Sequence, residues 1–289
     1  MQQRTIGDVT VSAIGFGAMP LSIEGAPDAG QADATVHAAL DAGITLIDTA
    51  DAYTISDVGY APGHNEEAVA RALRSYGGDS SAVLVATKGG HLRDADGEYT
   101  LNGRPDYLRK AAEASLRRLG VEAIGLYQHH RPDPDVPYEE TMGGLGALVD
   151  AGLVQRVGIS NADSTRIHTA HSILGERLVS VQNQLSPAFR SSLPEIDVCA
   201  ELGLAFLPWS PLGGTRGRAG KLGSTHRPFA DVADELGVSP QRVCLAWLLG
   251  LSPNVIPIPG ASRPETIRDS ASAPDLELSE AQRAHLDTV

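Results

Sequence analysis

The chain has 289 residues, 42% of them apolar and 20% charged, a mixture that can bury a core and lies far from the low-hydrophobicity signature of disorder. Lys and Arg total 23 against 36 for Asp and Glu, and the formal charge of −13 at pH 7 argues against a phosphate-tracking basic surface, so no nucleic-acid partner is expected. The two cysteines, Cys199 and Cys244, lie far apart with no CxxC and no nearby His cluster. Neither a disulfide framework nor a zinc site is expected, and the compartment should be reducing.

The opening stretch MQQRTIGDVTVSAIGFG has no continuous apolar run, and nowhere do 18 apolar residues follow one another without interruption. A soluble cytoplasmic protein with no membrane partner is therefore expected. Residues 2–6 and 9–12 flank Gly7-Asp8 and predict a small hairpin. Short apolar runs rich in β-branched residues then recur at 13–17, 44–48, 82–87, 123–128, 154–160, 178–182, 204–209 and 254–258, each reading as a buried strand.

Between these runs the spacing predicts helices over 31–42, 64–75, 138–151, 163–175, 194–202, 240–250 and 264–272. Another starts after Gly103, with Pro105 in its first turn, and stops at Gly120; its Leu108, Ala111, Ala112, Ser115, Leu116 and Leu119 follow the spacing of one helical face. Continuously apolar strands alternating with amphipathic helices imply a parallel sheet covered on its outer face. Eight such units predict a single α/β domain over 1–289, a (β/α)8 TIM barrel with the N-terminal β-hairpin as a cap on its bottom. An open doubly wound sheet is the alternative, but no GxGxxG follows an early strand.

A barrel of this kind builds its active site at the C-terminal strand ends. There the sequence places Asp48 with Tyr53 in LIDTADAY, Lys88 in VATKGG, and His129-His130 in GLYQHHRPDP. A lysine directly after VLVAT needs a partner if buried, and Asp48 is the natural one. A tyrosine titrates near ~10, and a neighbouring cation is expected to lower that value and make Tyr53 a usable acid. With an imidazole N–H aimed at the same oxygen, the set can polarise a carbonyl and protonate it as hydride arrives.

Each of these residues taken alone reads more simply as a cap or a loop hydrogen bond; their convergence carries the chemistry. His129 and His130 are adjacent on a strand, so they should face opposite ways, and with no third ligand evident no metal site is expected. The later strand ends are rich in amides and hydroxyls: Ser160-Asn161, Gln182 and Trp209-Ser210. They suit a carboxamide and a stacked ring, although Ser and Asn there could equally cap the following helix. Gly260, Ser262 and Arg263 precede a helix, an arrangement that favours a phosphate.

These segments, from GFGAM to IPGASRPE, resemble the aldo-keto reductase superfamily over nearly the whole chain. The resemblance implies reduction of a small-molecule carbonyl by a monomer. Its tetrad would be Asp48, Tyr53, Lys88 and His130, with Tyr127, His130 and Pro132 keeping the family's Tyr-x-x-His-x-Pro spacing. The implied cofactor is NADPH, with NADH at lower affinity, held without a separate dinucleotide domain. Ser160, Asn161 and Gln182 would bind the carboxamide, Trp209 would stack on the nicotinamide, and Ser210, Leu212 and Gly214 would line the pyrophosphate.

Ala18, Met19, Asp48 and Gly260 complete the expected cofactor contacts. Where some branches grip the 2′-phosphate with Lys-Ser, this chain has Gly260-Ala261, which leaves that role to Ser262 and Arg263. Ser270 stands where an adenine-binding Asn is usual. Two alternative functions are a class I aldolase-like lyase using Lys88 as a Schiff base and a slow-turnover nucleotide-sensing barrel.

Overall fold

Gly7, at φ +57, turns the chain between β1 (Gln3–Ile6) and β2 (Val9–Ser12), which pair antiparallel with Ile6 opposite Val9. This is the expected hairpin. In the computed structural model, which describes residues 1–214 and 218–289, Ile6 and Val11 are buried in one cluster with Leu46, Leu84, Leu126, Val179, Ala205 and Ile256. The hairpin thereby closes over the apolar inner face of the sheet.

That sheet holds β3 (Phe16–Gly17), β4 (Leu46–Asp48), β5 (Leu84–Gly89), β8 (Leu126–His129), β9 (Val157–Ser160), β10 (Leu178–Gln182) and β11 (Ala205–Phe206). The order is β11-β10-β9-β8-β5-β4-β3, with every neighbouring pair parallel. A separate antiparallel hairpin, β6 (His91–Arg93) and β7 (Tyr99–Leu101), follows β5 directly. It was not expected from the sequence.

The run expected as the last strand, 254–258, is not a regular strand, and the first is shortened to Phe16–Gly17. Pro257 and Pro259 explain both, because neither has an N–H to donate to β3. The segment still joins the two edges of the sheet. Phe206 donates to the Asn254 carbonyl and Ile256 to the Phe206 carbonyl, each at 2.8 Å, while Gly15 donates to Pro257 at 2.9 Å and Gly17 to Pro259 at 3.0 Å.

The helices are α1 (Ala29–Asp41), α2 (His64–Ser75), α3 (Pro105–Leu119), α4 (Tyr138–Asp150), α5 (Ser164–Leu174), α6 (Leu193–Glu201), α7 (Leu222–Thr225), α8 (Arg227–Leu236), α9 (Pro240–Leu249), α10 (Pro264–Ala271) and α11 (Glu280–Leu286). The eight predicted helices fall on α1–α6, α9 and α10. Their apolar faces form a second core with the outward residues of the sheet, such as Phe16, Ile47, Tyr127, Val157 and Ile159. Among the described residues no helix is long and apolar enough to cross a membrane.

Candidate active site

Alternation along each strand decides which side chains share the interior. Leu46 and Asp48 on β4, Leu84, Ala86 and Lys88 on β5, and Leu126 and Gln128 on β8 point the same way, so an apolar layer is topped by a polar one. The Lys88 side chain is fully buried and its ammonium makes three hydrogen bonds: to Asp48 Oδ2 at 2.6 Å, the Thr49 carbonyl at 2.9 Å and the Tyr53 hydroxyl at 3.1 Å. An ammonium has three donors, so all are engaged. Asp48 Oδ1 accepts from Gln182 Nε2 at 2.8 Å and Gln128 Nε2 at 3.1 Å.

Burial is the largest single effect and works against the Lys88 charge, but Asp48 and Tyr53 together outweigh it, and the ammonium is held above its ordinary range. Tyr53 behaves differently from the expectation. Burial raises its phenol above the usual value and the Lys88 cation only partly offsets this, so the hydroxyl stays protonated through neutral pH. The His130 imidazole is pushed well below its usual value by burial and then by the Lys88 charge. It is neutral, and its ring stands edge-on to Tyr53 at 5.7 Å.

His129 and His130 do face opposite ways. His130 joins Tyr53, whereas His129 is buried on the helix side with its ring 6.2 Å from Tyr138 and neither nitrogen hydrogen-bonded among the described residues. No group of three potential metal ligands comes together among the described residues.

The amide-rich positions all lie along the same rim, after β9, β10 and β11. Asn161 and Ser210 have positive φ, +57 and +50, uncommon for residues other than glycine and an indication of a constrained site. Ser160 donates to the Gln182 carbonyl at 2.6 Å. Asn161 Nδ2 donates to the His130 carbonyl at 2.9 Å and to Ser160 Oγ at 3.0 Å. Gln182 Nε2 is also taken, so what Asn161 and Gln182 still offer are acceptor oxygens.

Trp209 is partly buried, and its indole nitrogen has no hydrogen-bond partner among the described residues. Leu212 is buried, and Gly213 and Gly214 carry the next turn at φ +90 and +114. Residues 215–217, which follow Gly214, lie outside the described residues. Ala18 is buried and donates to the Asp48 carbonyl at 2.8 Å; Met19 opens the short turn after it. Gly260 pairs with Gly17. The Ser262 carbonyl accepts from Gln31 at 2.7 Å, and exposed Arg263 precedes α10 with Glu265 3.4 Å away. Ser270 is buried on α10.

The sequence profile of the Aldo/keto reductase family matches residues 13–289, from the first strand of the sheet to the end of the chain. The chain belongs to the aldo/keto reductase family. It is 33% identical over 286 residues to an uncharacterised oxidoreductase of Schizosaccharomyces pombe, covering 98% of this chain and 88% of the relative. It is 31% identical over 314 residues to the aldo-keto reductase yakc [NADP(+)] of the same yeast, covering 96% and 88%. An aldo/keto reductase of Klebsiella pneumoniae, solved with NADP and acetate, superimposes with a TM-score of 0.81 at 27% identity, covering 99% of this chain and 94% of that one. These relatives imply a (β/α)8 barrel, which the curled parallel sheet and its outer helices fit.

Within this aldo/keto reductase the structure adds residues that the sequence reading missed. Gln128 holds Asp48, and its signal was its place two positions before His130 on the inward face. Asn65, fully buried, accepts from Thr49 Oγ1 at 2.6 Å and donates to the Ala18 carbonyl at 2.9 Å and to Ser22 Oγ at 2.6 Å. Ser22 in turn donates to the Tyr53 carbonyl at 2.9 Å, so Asn65 braces the turn that carries the phenol. On the other side of β5, Thr87 donates to Glu66 at 2.5 Å, and Glu66 is paired with Arg118 at 2.5 Å.

Proposed function

We propose that this chain is an NADPH-dependent oxidoreductase that reduces aldehydes and ketones to alcohols, with Tyr53 as general acid and NADH accepted at lower affinity. The observation that carries the reading is the triply bonded Lys88 ammonium, which touches the Tyr53 hydroxyl and is itself neutralised by Asp48. A bound nicotinamide supplies the hydride. Tyr53, protonated at neutral pH, gives its proton to the carbonyl oxygen, and Lys88 stabilises the phenolate left behind. Neutral His130 donates a hydrogen bond to the same oxygen without competing as an acid. Its Nδ1 is buried and unpartnered among the described residues, which leaves the other nitrogen for the substrate.

The donor set fits the cofactor. The free oxygens of Asn161 and Gln182 are acceptors for a carboxamide NH₂, and Trp209 offers a ring face beside them. Ser262 and Arg263 precede α10, and the charge of a helix start together with a guanidinium supports their holding a phosphate. A Schiff base at Lys88 is disfavoured, because it needs a free amine and every N–H here has an acceptor.

The test is loss of reduced-nicotinamide absorbance on a panel of carbonyl compounds with NADPH and with NADH. The reading expects cofactor-dependent turnover of one or more carbonyls. Binding without turnover would favour the sensor reading, and inactivation by borohydride with substrate alone would favour the lyase.

A further inference from the structure

His91 stands beside the reacting groups and has no task in the chemistry above. Gly90, at φ +95, turns the chain out of β5 and sets His91 at the start of β6. Its ring stacks on Tyr99, with centroids 4.5 Å apart and planes at 23°, and meets His130 edge-on at 4.9 Å. With Tyr53 at 5.7 Å from His130, four rings run from the proton donor to the mouth of the site. The His91 ring is partly exposed.

The hairpin that carries His91 is fixed from three sides by Arg93. Its guanidinium pairs with Glu24 at 2.9 Å, donates to the Thr54 carbonyl at 2.8 Å and the Gly97 carbonyl at 3.1 Å, and lies over the rings of Tyr60 and Tyr99 at 4.2 and 5.3 Å. Three segments around the mouth are thus tied together, and His91 is held in place before any ligand arrives, which lowers the cost of ordering it on binding. Burial and the charge of Arg131 push the imidazole down to about 4, so it is neutral at working pH. A neutral imidazole offers one N–H and one lone pair, the complement of a hydroxyl, which also both donates and accepts.

Resting on the reductase reading, we propose that His91 is a substrate-binding group that hydrogen-bonds a hydroxyl on the carbons beside the reacting carbonyl, giving preference for hydroxy-aldehydes and hydroxy-ketones over unfunctionalised carbonyls. The probes are glyceraldehyde and propanal, which share a three-carbon chain and differ in hydroxyls. The measurement is the ratio of their kcat/KM values with NADPH in the wild-type enzyme and in His91→Phe, which retains a ring to stack on Tyr99.

Wild type should favour glyceraldehyde by about fivefold or more, the worth of one net hydrogen bond, and His91→Phe should erase most of that preference, through KM more than kcat. An unchanged NADPH dissociation constant reports a folded variant; should His91→Phe fail to bind NADPH, His91→Leu supplies the same comparison. A ratio equal in wild type and variant, or a wild type without the preference, overturns the proposal alone. A preference for glyoxylate over glyceraldehyde overturns it in favour of an anion site around Arg131. A wild type that binds NADPH but consumes it with neither aldehyde overturns the reductase reading, and the proposal with it.

Discussion

Tyr53 sits where two opposing effects meet, and their balance sets its task. Burial raises the phenol and Lys88 lowers it, and burial wins, so the group carries its proton at pH 7 and needs the cation only once the proton has left. Tyr53→Phe should therefore lower the reductase rate by about 10²–10⁴-fold, the usual worth of a general acid. It removes one of the three Lys88 acceptors and leaves Asp48 and Thr49, so the NADPH dissociation constant should hardly move; a variant keeping more than half the rate would refute the assignment.

His129 makes the opposite point, a titratable group with no chemistry to do. Burial pushes it down to about 4, whereas an unfolded histidine takes up its proton near ~6.5. Between those values the unfolded chain binds more protons than the folded one, so stability is present above about 6.5 and lost as pH falls, by up to about 3 kcal/mol for this group. His129→Leu should flatten the dependence of urea unfolding free energy on pH between 7 and 4.5, and an unchanged slope would place the acid sensitivity elsewhere. The convergence of Asp48, Lys88 and Tyr53 was legible because ionisable groups at or just after apolar runs are conspicuous, and the family resemblance singled out His130 from its neighbour. Gln128 and Asn65 were not legible, since an amide inside a strand or a helix start has no such contrast, and the direction of the Tyr53 shift depends on burial that no sequence pattern states.

At the scale of elements, the regular βα units were readable because each strand is a short apolar run and each helix has a one-sided apolar stripe. The β6–β7 hairpin was hidden, its residues being half-exposed in β6, exposed in β7 and mixed in polarity, and α8 and α11 fell outside a count of one helix per strand. The chain marked them nonetheless: Pro228 lies in the first turn of α8, and Ser279 and Gln282 form a capping box on α11. The contact that binds α2 and α3 to β5 is likewise invisible in sequence. Glu66 is fully buried and holds both Arg118 and Thr87, while the nearby Asp51 carboxyl is raised well above its usual range by burial and then by Glu66. Arg118 is the cation shared by these two carboxyls. Arg118→Met should therefore destabilise the fold by about 3–5 kcal/mol, as expected for an uncompensated buried carboxylate, and adding Glu66→Gln should restore part of the loss in urea titrations. Additive losses would show that the pair does not act as a unit.

For the molecule as a whole, a formal charge of −13 repels a polyanionic cofactor at long range, so affinity has to come from local donors. The rim of the sheet supplies amide oxygens and a ring at one end and the start of α10 at the other, where Arg263 is largely exposed and its neighbour Glu265 stands 3.4 Å from the guanidinium. Such an exposed pair is worth little in water, and Arg263 can leave Glu265 for a phosphate at small cost. An arginine–phosphate contact is roughly twice as strong as a neutral hydrogen bond, itself about 0.5–1.5 kcal/mol net, so a contact made only to the 2′-phosphate should separate NADPH from NADH by about tenfold. Arg263→Ala should accordingly weaken NADPH by about that factor and leave NADH nearly unchanged, as read from quenching of tryptophan fluorescence by each cofactor. Glu265→Gln should act the other way, tightening NADPH by removing the competing carboxylate and the negative charge beside the phosphate. Equal losses for both cofactors in Arg263→Ala would place the guanidinium on the shared pyrophosphate, and the preference between cofactors would then have to arise elsewhere on the rim.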